Sequence, residues 1–296
     1  MNYTCYNWMP LLGDHCIDMR KEEYISQWDI EPLHENHCDP QLVEDGDIVF
    51  VKTDYFEDGK FPHKILPRIK SKFYLVTGVS DFAIIDSPEY IKVADDPKIL
   101  HWYAANCAID HKKITPLPIG FQEKEREGGD PKTLDKLKKT ALPFDEKEDK
   151  IFLPFHGDTR GERKVLFDAL KQLPFVDVCD DRLPFEEYMN TINKYKYAFC
   201  FEGGGPDVHR NYECILLNTV PVINEKSVFS EKLSPTKKLF TQYDVLALYY
   251  DLDNLNELEK KMKTFRGGKQ NKNILDRDWL ISEVFKTSTA FEGSYI

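Results

Sequence analysis

From residue 151 to residue 223 the chain alternates short apolar runs with amphipathic stretches, and this pattern restricts its fold more than any other feature. It predicts strands over 151–155, 175–179, 197–201 and 220–223, with helices over 162–172, 185–193 and 208–218 between them. Successive βα units build parallel sheets, whose inner strands are apolar on both faces, as Tyr197-Ala198-Phe199-Cys200-Phe201 is. The first half offers strand candidates at 47–51, 73–77, 82–85, 99–103 and 114–119, joined less regularly. The charge-dense segment 121–150, with Gly128-Gly129 and Pro143, reads as a helix followed by a linker. With 296 residues, 41% of them hydrophobic, the chain can bury two cores, and disorder is excluded. The expected division is 1–148, 149–275 and 276–296, the amphipathic stretch 276–291 crossing back over the first domain.

The formal charge of −11 divides unevenly. Residues 1–150 carry 20 Lys/Arg against 29 Asp/Glu, and residues 151–296 carry 20 against 22. No basic block exists to neutralise phosphates, so a nucleic-acid partner is excluded and an anionic ligand is expected in the second half. The seven cysteines (Cys5, Cys16, Cys38, Cys107, Cys179, Cys200 and Cys214) never form CxxC, which reads as reduced thiols in a cytosolic protein. The sequence shows no basic-then-apolar leader and no run of 18 apolar residues, so neither signal peptide nor membrane span is expected.

The chemistry concentrates in 197–223. A buried strand runs into Glu202-Gly203-Gly204-Gly205-Pro206, and a helix follows from Asp207, the expected N-cap. Three glycines at the carboxyl end of a parallel strand permit close approach of a ligand, and a helix N-terminus attracts anions. The spacing is neither GxGxxG nor GxxxxGK[ST], so no dinucleotide fingerprint or P-loop is present. Arg210 and Glu213 share a helix face; the first can grip a phosphate and the second can accept from sugar hydroxyls. A second glycine-bearing turn, His156-Gly157-Asp158-Thr159-Arg160-Gly161-Glu162-Arg163, puts Arg160 and Arg163 near a helix start, where an anion would relieve the unfavourable dipole.

The string Glu202-Gly203-Gly204-Gly205-Pro206-Asp207-Val208-His209-Arg210-Asn211-Tyr212-Glu213, continued by Leu216-Leu217-Asn218-Thr219-Val220-Pro221-Val222-Ile223, resembles the EGxGxDxHRxxEAxxLGxxPIV signature of exostosin-like glycosyltransferases, especially the short forms of large algal viruses. Weaker similarity covers Val49-Phe50-Val51-Lys52-Thr53-Asp54, Phe73-Tyr74-Leu75-Val76-Thr77 and Ile114-Thr115-Pro116-Leu117-Pro118-Ile119-Gly120. The resemblance implies a GT-B fold, two Rossmann-like domains facing a cleft, and transfer of a sugar from a nucleotide diphosphate donor to an oligosaccharide or glycoprotein acceptor. It places Glu202, Gly203, Gly204, Gly205, Asp207, His209 and Arg210 around the donor diphosphate and sugar and Glu213 on the ribose; the second glycine-bearing turn adds Gly157, Arg160 and Arg163 to that donor site. Inversion is the family expectation, with Asp81 as the base ahead of Asp54 and Asp14, and Arg210 and Glu202 completing the catalytic set. Viral relatives build glycans containing pentoses, which favours UDP-xylose, and the expected location is the cytoplasm, of the host cell for a viral protein. No cofactor is expected beyond the nucleotide-sugar.

Four other readings compete. Asp251-Leu252-Asp253 resembles a metal-binding DxD pair and leaves a divalent ion open, but only 43 residues follow it, so Asp253 is read as the cap of a helix over 255–265. His34-Glu35-Asn36-His37-Cys38 lacks a second cluster of metal ligands and reads as a polar loop. The 38 aromatic residues would also suit a non-catalytic carbohydrate-binding protein, while a nucleotide-dependent oxidoreductase is disfavoured by the missing fingerprint.

Overall fold

The computed structural model describes residues 2–17, 39–57, 59–154, 161–230 and 234–285. Two five-stranded sheets, both entirely parallel, form two lobes. The first contains β1 (His15–Ile17), β2 (Ile48–Lys52), β3 (Phe73–Gly78), β4 (Ile99–Ala105) and β5 (Ile114–Leu117), in the order β1-β2-β3-β4-β5. The second contains β6 (Glu148–Leu153), β7 (Val176–Val178), β8 (Tyr195–Phe199), β9 (Val220–Asn224) and β10 (Leu248–Tyr250), in the order β10-β9-β8-β6-β7. The parallel sheets are those the βα periodicity predicts, and the bilobed Rossmann-like architecture is the one the resemblance implied.

The order of the first sheet has a consequence for packing. Right-handed crossovers that always step the same way lie on one face. Here α1 (Asp54–Glu57) and α2 (Pro88–Asp95) supply Phe56, Tyr90 and Val93 to the face carrying Val49, Val51, Leu75 and Trp102. The opposite face, with Phe50, Val76, Tyr103 and Leu117, is left for other parts of the chain. Trp8, Met9 and Leu12 cover part of it, together with Leu280 and Phe285 from the C-terminal end; the Phe285 ring lies 4.2 Å from that of Tyr103. The helix α9 (Arg277–Val284) therefore returns to the first lobe, tied by Arg277 N–H to Asn2 O at 2.8 Å and Asn2 Nδ2 to Asp278 at 2.6 Å. The expected continuation of this stretch to 291 lies outside the described residues.

The second sheet is covered on both faces. α4 (Gly161–Leu170) and α8 (Asn256–Thr264) pack Phe167, Leu170, Leu258 and Met262 on one side. α5 (Phe185–Ile192), α6 (His209–Leu216) and α7 (Pro235–Gln242) pack Met189, Ile192, Ile215, Leu239 and Phe240 on the other, in a core continuous with that of the first lobe.

Several local expectations change. Residues 82–85 form no strand; only Ile84 is buried there, in an isolated bridge to Cys107, because the segment is a short turn running into the Ser87-capped start of α2. The helix expected in 121–150 is confined to α3 (Pro131–Thr140), capped by Asp130, and β6 begins at Glu148, inside the presumed linker. Charges tolerate that strand because its first residues emerge beyond the core, where Lys150 pairs with Asp177 at 2.7 Å. The short strands β1 and β10 have three residues each, too few to show a period.

Candidate functional site

In the second sheet the strand order reverses between β6 and β8, and loops leaving such a point diverge and open a crevice for ligands. The glycine run follows β8 directly. Gly157 and Arg160, which follow β6 in sequence, lie outside the described residues. A cleft of about 740 Å³ opens here between the lobes. Asp81, Ile119 and Gln122 line it from the first lobe, and Arg163, Gly203, Gly204, Gly205, Asp207, His209, Arg210 and Glu213 from the second.

Asp81 sits on the turn after β3, held by Asn106 Nδ2 donating to Ser80 O at 3.0 Å and by Phe82 N–H donating to Ser80 Oγ at 3.2 Å. Its carboxylate presses on the backbone of Gly204: a Cβ placed there would lie 2.2 Å from Asp81 Oδ2. At Gly205 a Cβ would meet Asn106 Nδ2 at 3.0 Å. Gly204 and Gly205 thus serve close contact between lobes, whereas a Cβ at Gly203 would meet Arg163 of its own lobe at 3.1 Å; none of the three has a left-handed φ. The Asp81 carboxylate makes no hydrogen bond or ion pair with a described residue. Asp54 and Asp14 differ on this point. Lys52 Nζ lies 2.7 Å from Asp54; burial pushes that carboxyl up, but hydrogen bonds from Lys52 and Ser80 outweigh it and hold it below its ordinary value, so it is a weak base. Asp14 accepts from Ile48 N–H at 2.8 Å and anchors β2.

Asp207 is not the N-cap of α6. That position is Val208, in extended conformation and with no side-chain cap. The Asp207 carboxylate instead accepts from Val208 N–H (2.9 Å), Asn211 Nδ2 (2.8 Å), Ile119 N–H (3.2 Å) and the Tyr212 hydroxyl, while its own N–H donates to Asn106 Oδ1 at 3.2 Å. It is a buried pin between the lobes. Burial pushes its carboxyl above the ordinary range, and the hydrogen bonds from Tyr212, Asn211 and Ile119 work against that rise. Other helices start on a capping side chain followed by proline, as at Ser87-Pro88, Asp130-Pro131 and Ser234-Pro235. The uncapped N-terminus of α6 presents its dipole to the cleft.

His209 Nδ1–H donates to Gly120 O at 2.8 Å, a second tie across the lobes. A carbonyl can only accept, so the neutral ring keeps its proton on Nδ1, and Nε2 is an acceptor without a partner among the described residues. Arg210 Nε–H donates to the Tyr188 hydroxyl at 2.6 Å, and the guanidinium carbon lies 5.6 Å from the centre of the Tyr188 ring. Its terminal nitrogens have no partner among the described residues. Tyr188 in turn donates to Glu213 Oε2 at 3.2 Å. Burial pushes the Glu213 carboxyl up, an effect the charge of Arg210 opposes.

Two expected site residues are engaged with the protein itself. Arg163 spends Nε and one terminal nitrogen on Glu202 O (2.7 Å) and Phe201 O (3.3 Å), bracing the end of the β8 strand at the cleft wall. Glu202 turns its side chain away from the cleft, accepting from Val228 N–H at 3.0 Å beside a cavity of about 30 Å³. Tyr188, Asn106 and Gln122 belong to the site although nothing in the sequence pattern marks them. Tyr188 occupies one turn of an ordinary amphipathic helix, and only folding brings it beside Arg210.

The acidic pair after β10 is occupied by a lysine: Lys226 Nζ lies 3.1 Å from Asp251 and 2.5 Å from Asp253. Asp253 does not cap α8, whose N-cap is Leu255; Asp251 accepts from Asp253 N–H at the preceding turn. Among the described residues no group of three or more His, Cys, Asp or Glu side chains could hold a metal ion. The cluster at 34–38 lies outside the described residues. Among the described residues no helix is long and apolar enough to cross a membrane. No protein-family model matches the chain, and no curated protein is significantly similar to it.

Proposed function

We propose that this chain is a nucleotide-sugar-dependent glycosyltransferase. The reading is carried by one observation: an unpaired carboxylate from the first lobe, Asp81, touches the glycine run of the second lobe in the cleft that also holds the open fork of Arg210 and the uncapped start of α6. A base and an anion-holding group on opposite walls are what displacement at a sugar carbon requires. Asp81 takes the proton of an acceptor hydroxyl as its oxygen bonds to the anomeric carbon. The bond from that carbon to the diphosphate oxygen breaks, and the charge left on the diphosphate is held by Arg210 and the α6 N–H groups, while His209 Nε2 can accept from a donor hydroxyl. Glu213 Oε1 faces a donor hydroxyl, and Glu202 and Arg163 hold the glycine loop in place. UDP-xylose is the first donor to test, with an oligosaccharide or glycoprotein glycan as acceptor.

A thermal-shift screen across UDP-, GDP- and CMP-sugars tests the reading, followed by transfer assays with the stabilising donor. Stabilisation by one nucleotide class is expected, and its loss in Arg210→Ala, where removing a charged donor costs about 2.7–4 kcal/mol of reaction barrier or 10²–10³-fold in rate. No stabilisation by any nucleotide-sugar, or equal stabilisation of the variant, defeats it. Preference for a dinucleotide points to an oxidoreductase, and binding of free glycans alone points to a lectin.

A further inference from the structure

Resting on that reading, we infer that Tyr188 is a positioning residue that aims the two ligand-reading groups of α6. Its hydroxyl has one hydrogen and two neighbours. Arg210 Nε–H can only donate, so the oxygen accepts there at 2.6 Å, and the phenolic hydrogen goes to Glu213 Oε2 at 3.2 Å. The order Arg210 to Tyr188 to Glu213 therefore has a single direction. It uses the inner nitrogen of the guanidinium and one carboxylate oxygen, which leaves the two terminal nitrogens of Arg210 and Oε1 of Glu213 for the cleft.

The ring acts with the hydroxyl. Its centre lies 5.6 Å from the guanidinium carbon, within reach of a cation–π attraction that adds to the hydrogen bond. Without Tyr188, a direct ion pair between Arg210 and Glu213, three residues apart on one helix face, would satisfy both side chains with each other and withdraw both from a ligand. Tyr188 comes from α5, outside the glycine motif, and keeps the charges apart while satisfying each. An arginine held in advance spends less of its binding energy on ordering.

The experiment is calorimetric titration of UDP into the full chain and its variants, with a thermal melt of each. Tyr188→Phe keeps the ring and removes the hydroxyl; UDP affinity is expected to fall about tenfold. Arg210→Lys keeps the charge but cannot reach Tyr188 and a phosphate together, and a similar loss is expected, which keeps the inference testable should Tyr188→Phe not fold. In an Arg210→Ala background the further change on adding Tyr188→Phe is expected to stay within about twofold, since a residue acting through Arg210 has nothing left to position. A role limited to packing would add its full effect there. UDP affinity of Tyr188→Phe or Arg210→Lys within twofold of the parent chain overturns the inference, as does full additivity with Arg210→Ala. A parent chain that binds neither UDP nor another nucleoside diphosphate defeats the functional reading and this inference together; tight binding that ignores Tyr188 defeats this inference alone.

Discussion

The two lobes are built from the same kind of sheet, five parallel strands, and differ in the direction of winding. The second sheet winds both ways from β6, so it has helices on both faces and a point where neighbouring loops part. The first sheet steps one way from β1 to β5, so it has no such point and one of its faces depends on distant chain. The contrast separates two tasks. The doubly wound lobe creates the crevice and aims Arg210 and Glu213 into it. The singly wound lobe contributes an exposed turn with Asp81 and the backbone groups of Ile119 and Gly120 that pin Asp207 and His209.

If the bare face of the first sheet is truly closed by the C-terminal end, removing its ring should cost most. Phe285→Ala is expected to lower unfolding stability by about 3–5 kcal/mol in urea titration. A loss below about 1 kcal/mol would mean that the face is closed by other residues. Next comes the contact that joins the lobes at the site. Gly204→Ala puts a methyl group where the Asp81 carboxylate lies, and since the collision is with a side chain on an exposed turn, Asp81 should move while the fold survives. Transfer activity is expected to drop about 100-fold, or about 2.7 kcal/mol of barrier, with little change in melting temperature. Unchanged activity would detach Asp81 from the reaction.

The smallest effect concerns pH. The Glu213 carboxyl is raised above its ordinary value of 4.5 by burial, so the stability linked to it is fully present below the unfolded value and is lost as pH rises through the folded value. Glu213→Gln removes that loss. The variant should therefore gain in melting temperature relative to the parent chain as pH rises above 4.5; a difference independent of pH would mean that burial does not raise the Glu213 carboxyl.

Much of the second lobe was legible because its strands are continuous apolar runs separated by helices of ordinary length. The glycine run and the helix start after it identified the crevice for the same reason: a break between two strongly patterned elements is visible in one dimension. The first lobe was harder. Its connections are irregular, the three-residue β1 carries no period, and the segment 82–85 looks in sequence like a strand. Asp207 read as a cap because Asp before a helix usually is one. In the fold the same carboxylate meets Ile119 N–H from the other lobe and the Tyr212 hydroxyl, partners 88 and 5 residues away.

By itself the sequence determined the class of fold, the position of the glycine loop and the pairing of Arg210 with Glu213 on one helical face, since each depends on local periodicity. Only the tertiary structure decided that Asp81 rather than Asp54 or Asp14 carries a free carboxylate, that Glu202 turns away, and that Tyr188 stands between Arg210 and Glu213. Those outcomes depend on which hydrogen-bond partners arrive from elsewhere in the chain. A carboxylate that finds a donor becomes a pin, and one that finds none remains available for chemistry.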